Sequence, residues 1–256
     1  MNRLVKLALT WAVLASLSLA PAANGLQAEQ PDAPVRIGSK AFTESHILAE
    51  IAAQLLESEG FKVERRLGLG GTLIAVEALQ SNSIDLYPEY TGTLTQAVLQ
   101  QPGMTPKQLE DALLSRGLSL HVPLGFNNSY AIAIDRAIAE RHSIKRISDL
   151  AKHPDLVFGF SLEFLNRADG WPALRQAYHL PQAARGLEHA LAYRAVASGD
   201  LNVTDAYTTD GELDAYDLRL LQDDRSFFPG YDAVLLSRTA LPPAVSVVLQ
   251  RLAHSI

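Results

Sequence analysis

Residues 78–93 and 195–210 are two versions of one pattern, ALQSNSIDLYPEYTGT and AVASGDLNVTDAYTTD. A constant offset of 117 puts Ala78 on Ala195, Ser81 on Ser198, Tyr90 on Tyr207 and Thr91 on Thr208. Each copy reads as a helix end, a tight polar turn, a short buried strand and a Tyr-Thr pair where the strand runs out. A chain that builds the same helix–strand unit in both halves is held to a doubled α/β architecture. Ligands of open α/β sheets sit past the carboxyl ends of the strands. The two Tyr-Thr ends therefore predict two similar lobes across a cleft, each lending it a tyrosine. Chance recurrence of a short strand–turn pattern is the alternative. A match running through helix, turn, strand and loop weighs against it.

The rest of the chain keeps this rhythm. Strands are expected over 35–39, 61–66, 84–87 and 118–124, then 131–134, 157–160, 203–207, 218–221 and 233–236. Between them, Ile47, Leu48, Ile51 and Leu55 recur at helical spacing behind Thr43, which has the chemistry of an N-cap, and Glu44, which suits a first turn. Thr105-Pro106 is a clean helix start. Further helices are expected behind a Ser148 cap, over 187–198 and over 242–252. Strands alternating with helices indicate a mostly parallel sheet. No segment has the composition of a flexible linker, so crossings between lobes must be short. They are placed near 125–128 and 228–231.

The N-terminus has its own logic. Arg3 and Lys6 precede an uncharged apolar run of 14 residues, Leu7 to Ala20, and Ala20-Pro21-Ala22 supplies small residues for cleavage. This is a secretory leader, too short for a comfortable span. Cysteine is absent, which excludes disulfides, thiolate metal sites and lipid modification of an N-terminal cysteine. A freely diffusing periplasmic protein is expected. Without Arg3 and Lys6 the 22 basic residues become 20 against 28 acidic, a net charge of −8. An acidic chain without basic runs is a poor nucleic-acid binder.

Few patterns carry chemistry. The seven histidines show no metal-ligand spacing, no Gly-x-Ser-x-Gly elbow is present, and no cofactor motif appears. The glycine run 68–71 precedes a helix. It reads first as a tight strand-to-helix turn and second as an anion cradle, lacking the lysine of a P-loop. Glu89, Asp205, Asp210, Asp223 and Asp224 read mostly as caps and solvated carboxylates. Four of the eight tyrosines, Tyr90, Tyr130, Tyr207 and Tyr231, fall in loop-like positions at strand ends. From position alone they fit either ordinary packing or an aromatic box. Such a box attracts quaternary ammonium groups by about 0.5–2 kcal/mol per ring.

Several runs together resemble a known family. They are IGSKAFTE at 37–44, LGGT at 69–72, IDLYPEYTGT at 84–93, LGFNNSYA at 124–131, VFGFSLEFLNRADG at 157–170, DAYTTDGEL at 205–213 and LQDDRSFFPGYDAVLL at 221–236. In this order they are similar to the substrate-binding proteins of osmoprotectant ABC transporters, the glycine betaine/choline/carnitine class. The resemblance implies an α/β, two-lobe periplasmic binding protein fold of type II, hinged around a cleft. It implies an aromatic cage at Tyr90, Tyr130, Tyr207 and Tyr231. It also implies a carboxylate clamp at Lys40, Thr93 and Arg167, with a backbone carbonyl near Asn128 facing the ammonium. The implied partner is an ABC permease in the inner membrane.

The physics of that site is coherent. Trimethylammonium donates no conventional hydrogen bond, so ring faces must replace its water, while a carboxylate wants charged donors. Glycine betaine or a related betaine is expected ahead of choline, whose hydroxyl end would leave Lys40 and Arg167 uncompensated. Choline, carnitine and ergothioneine are the alternative ligands, and a cleft-carboxylate enzyme using Glu89 or Asp210 is the rival class. The expected organisation is a leader at 1–22, a first lobe from 23–127 and 230–256, and a second lobe from 128–229. Family members continue past the final strand with several more helices, so a first lobe with thinner apolar cover is expected here.

Overall fold

The computed structural model describes residues 33–256, and the expected leader at 1–22 lies outside the described residues. The strands are β1 (Val35–Gly38), β2 (Val63–Arg66), β3 (Leu86–Tyr90), β4 (Leu118–Asn127), β5 (Tyr130–Asp135), β6 (Phe158–Ser161), β7 (Ala184–Leu187), β8 (Val203–Tyr207), β9 (Leu218–Leu220) and β10 (Asp232–Arg238). The helices are α1 (Thr43–Ser58), α2 (Thr72–Gln80), α3 (Thr91–Thr93, continued by a π turn), α4 (Pro106–Leu114), α5 (Arg136–Arg141), α6 (Leu162–Asn166), α7 (Trp171–Tyr178), α8 (His189–Ala197), α9 (Glu212–Ala215) and α10 (Pro243–Leu249). The repeat is realised at both of its elements. The same offset of 117 relates α2 to α8 and β3 to β8, end to end.

Two five-stranded sheets result, in the orders β2-β1-β3-β10-β4 and β7-β6-β8-β5-β9. They correspond strand for strand. The central β3 runs parallel to β1 and antiparallel to β10; the central β8 runs parallel to β6 and antiparallel to β5. Central strands with helices on both faces are buried, as β3 is throughout and β8 is up to its last residue, Tyr207. In the first sheet, Leu48, Ala49, Ala52, Ala53 and Leu56 of α1 pack on one face. Ala75, Val76 and Leu79 of α2 pack on the other, with Leu109 and Leu113 of α4. The alanines let α1 lie close to the sheet. Asp85, at the entrance to β3, ties three strands together. It accepts from the backbone N–H of Arg36 in β1 at 2.8 Å, from Arg36 Nε at 3.0 Å and from Arg238 Nε in β10 at 3.0 Å.

Asn128 and Ser129 join β4 of the first sheet to β5 of the second, and residues 221–231 return from β9 to β10. The two crossings are bonded to one another, with Asn128 N donating to Tyr231 O at 3.0 Å. The crossing expected at 125–128 therefore begins later, because 125–127 still belong to β4. After β10, α10 packs on α1 and buries Val245 and Leu249. The final residues add to β4, with His254 N donating to Pro123 O at 3.0 Å and Ile256 N to Leu124 O at 3.2 Å.

Several local expectations change. Thr43 opens α1 instead of capping it; the preceding Phe42 is extended and forms no side-chain cap. Ser148 lies inside a 3-10 turn over Ile147–Lys152, and α8 is capped by Glu188. The third strand starts and ends later than 84–87, carrying Pro88 within it. Beyond the Ile37–Leu86 pair, β1 leaves β3, so the downstream half of β3 is laddered only to β10. A proline fits there although the strand is central.

Candidate functional site

The carboxyl ends of β3 and β8 and the two crossings meet around one cavity of about 700 Å³. All eight residues expected at the site line it: Lys40, Tyr90, Thr93, Asn128, Tyr130, Arg167, Tyr207 and Tyr231. Tyr90 is the last residue of β3 and Tyr207 the last of β8. Tyr130 opens β5 and Tyr231 immediately precedes β10. They are thus at or beside strand termini, not in loose loops.

The rings form a chain. Tyr130 lies 5.0 Å from Tyr207 and 5.8 Å from Tyr231, centroid to centroid. Tyr90 joins through Phe42, whose centroid is 6.4 Å from Tyr90 and 4.9 Å from Tyr207. Phe42 is thus a fifth ring of the wall, missed by position arguments because it sits just before a helix, away from any strand end. Burial pushes all four tyrosine hydroxyls up, so they stay protonated at neutral pH and present neutral ring faces.

Two cations stand at this wall. Lys40 Nζ lies 5.0 Å from the Tyr90 centroid and donates to Glu89 Oε1 at 2.6 Å. Arg167 lies 5.4 Å from the Tyr130 centroid and donates through Nε to Asp169 Oδ1 at 2.9 Å. Burial works against the Arg167 charge, but the hydrogen bond and charge of Asp169 favour it, and its pKa is raised. Each cation is already matched by a carboxylate of the protein. This removes the reason given above for ranking a betaine over choline, since a hydroxyl-ended amine would strand neither charge.

The acidic residues are therefore more than caps. Glu89 is fully buried and accepts from Lys40, from Tyr87 Oη at 2.9 Å and from its neighbour Tyr90 N at 2.9 Å. Asp205 is fully buried and accepts from Ser161 N and Oγ, both at 2.6 Å. Asp210 accepts from Tyr193 Oη, from Tyr207 N at 3.2 Å and from His189 Nε2 at 2.9 Å. Glu89 and Asp210 are thus each held by three donors of the protein itself. His189 itself lines the cavity and packs against Tyr207, with centroids 4.4 Å apart and planes tilted by 32°.

Two further carboxylates bridge the sheets. Glu44 of α1 accepts from Tyr90 Oη, from Asn128 Nδ2 at 2.8 Å and from Thr209 Oγ1 in the loop after β8. Glu163 of α6 accepts from Thr72 N of α2 at 3.3 Å. Both lie in runs singled out in the sequence, IGSKAFTE and VFGFSLEFLNRADG, yet nothing local distinguishes them from ordinary first-turn acids. The glycine run 68–71 is a turn into α2, with φ of +69° at Gly68 and +128° at Gly70. Three buried side-chain atoms without a hydrogen-bond partner belong to residues lining this cavity: Thr72 Oγ1, Asn128 Oδ1 and His189 Nδ1. Among the described residues no group of three or more His, Asp or Glu is placed to hold a metal ion.

This geometry coincides with a family match. Residues 33–254 match OpuAC, the substrate-binding domain of ABC-type glycine betaine transport systems. The chain belongs to this family. It is 35% identical over 263 residues to a glycine-betaine-binding protein of Pseudomonas aeruginosa, covering 93% of this chain and 79% of that one. It is 34% identical over 218 residues to the ergothioneine transport permease/ergothioneine binding protein EgtU of Helicobacter pylori, covering 80% of this chain. The match spans 38% of that longer relative. A solved glycine betaine/carnitine/choline ABC transporter structure superposes with a TM-score of 0.65 at 28% identity, over 87% of each chain. This OpuAC member has the two-lobe α/β fold of solute-binding proteins, with the cleft between its sheets.

Proposed function

We propose that this OpuAC domain is a periplasmic receptor that captures a quaternary ammonium compound and delivers it to an ABC permease of the inner membrane, without chemical turnover. Tyr90, Tyr130, Tyr207 and Tyr231, joined by Phe42, form the ammonium cage. Lys40, Thr93 and Arg167 take the opposite end of the ligand, and the backbone at Asn128 faces the ammonium. The observation that carries this reading is the run of five neutral rings along one cavity, with two cations at its wall. Cation–π attraction is strongest where the ring faces are desolvated. A ligand touching elements of both sheets favours the closed arrangement, and closure is the signal delivered. Glycine betaine is the first candidate, in line with the name of the Pseudomonas relative. Choline is the second, because Lys40 and Arg167 are already paired.

Calorimetric titration of the chain without its leader, against glycine betaine, choline, carnitine and ergothioneine, tests this directly. Saturable binding of at least one is expected. Tyr207→Ala should weaken it about tenfold or more, as loss of a desolvated cation–π face implies. Arg167→Ala should weaken carboxylate ligands more than choline. Full affinity in both variants would remove the assigned site, and conversion of any ligand to product would favour an enzyme.

A further inference from the structure

We propose that Glu163 is an internal stand-in for a ligand carboxylate, seated in an anion-accepting corner built from the start of α2, the Thr72 hydroxyl and Arg167. This inference rests on the cleft being the ligand site, and it names the residue that decides which end group the site prefers.

The corner is assembled from independent features. The nine-residue helix α2 begins behind Gly71, which offers no side chain to cap it. The first N–H groups of a helix are unsatisfied and carry partial positive charge. Glu163 reaches them from α6, across 91 positions of sequence, and takes the Thr72 N–H at 3.3 Å. The fit depends on glycine, since a Cβ on Gly71 would lie 2.1 Å from Glu163 Oε2. Arg167 Nη1 approaches the same carboxylate at 3.7 Å. Thr72 is 1% exposed, lines the cavity and has a hydroxyl without any partner. Glu163 therefore leaves one buried donor unused, where a carboxylate from a ligand has an oxygen to offer.

The consequence is selective. A ligand carboxylate drawn to Arg167 meets a like charge already in place and must displace it. A ligand ending in a hydroxyl carries no such charge, and can donate to Glu163 where it stands. Glu163 thus penalises carboxylate-ended amines relative to hydroxyl-ended ones. The donors of the corner repay that penalty only when Glu163 swings out.

Two measurements test this. In the first, Glu163→Ala vacates the corner, and thermal unfolding is followed in sodium acetate and in sodium chloride of equal ionic strength. Acetate should raise the midpoint of this variant and leave wild type unmoved. No acetate-specific rise in a folded variant overturns the anion corner, whether or not any amine binds. In the second, glycine betaine and choline are titrated into Glu163→Gln, which keeps the shape and removes the charge. The betaine-to-choline affinity ratio should rise about tenfold, at the modest end of like-charge effects. An unchanged ratio, or equal weakening of both ligands, makes Glu163 only a clasp between the sheets and overturns the proposal. If the alanine variant does not fold, the glutamine ratio decides. If wild type binds neither amine, the ligand reading fails and the acetate result still stands alone.

Discussion

Behind the ring of Tyr207 lies His189, with Asp210 on its Nε2, Asp205 3.8 Å from its Nδ1, and Tyr193 against its edge. Burial opposes its charge, but the hydrogen bond to Asp210 and the charges of Asp205, Asp210 and Glu188 prevail and raise its pKa. A histidine with a raised folded pKa adds stability below its unfolded value near 6.5, and that stability fades as pH rises through the folded value. His189→Gln should therefore cost most stability at acidic pH and progressively less above neutrality. Urea unfolding at several pH values checks this, and a cost that does not vary with pH would refute it. The eight residues expected at the site all line the cavity; the tyrosines were named from their strand-end positions, and Lys40, Thr93, Asn128 and Arg167 only through the family resemblance. His189, Glu44 and Glu163 were not legible in the sequence, because what gives them their roles is distant. The bond from Glu44 to Thr209 spans 165 positions. A first-turn glutamate looks the same whether it faces water or another lobe.

Among the elements, the repeated helix–strand unit was the easiest to read, since its hydrophobic period and its turn recur together. Misplaced elements have identifiable causes. Pro88 reads as a strand breaker, yet β3 carries it where one flank lacks a ladder partner. The edge strand β7 is ARGL, with two exposed central residues, and offers no alternation to detect. The entrance to β3 also yields a prediction. Burial acts to raise the Asp85 pKa, but hydrogen bonds from Arg36 and Arg238 and the Arg238 charge lower it below the usual value. A depressed folded pKa gives stability that is present above the unfolded value near 3.9 and is lost as pH falls through the folded value. Asp85→Asn should destabilise the chain by about 3 kcal/mol at pH 7, the low end for breaking a buried ion pair. The deficit should shrink below about pH 4, where the carboxylate of the unfolded chain takes up its proton while the folded one, held lower, stays charged. Denaturant titrations at both pH values measure the difference. An equal deficit at both would mean the charge is irrelevant.

For the whole molecule, Glu44 connects α1, the first crossing and the loop after β8. It does not line the cavity but holds Tyr90 and Asn128, which do, and reaches Thr209 of the other half, so it acts on affinity by positioning those residues and by favouring closure. Glu44→Ala should raise the ligand Kd about fivefold to thirtyfold, corresponding to one or two kcal/mol of lost charge-assisted bonding. The ligand-free protein should also scatter X-rays as a more open particle. Weaker binding with an unchanged scattering profile would place the effect elsewhere. The bond from Asn128 N to Tyr231 O bears on the same motion. Two independent ribbons would let one half of the protein bend, twist and slide against the other. A hydrogen bond between the ribbons opposes their sliding apart and favours motion about one axis. On the proposed function, occupancy would then be carried mainly by one hinge angle, the quantity a permease would have to sense to distinguish a loaded carrier from an empty one.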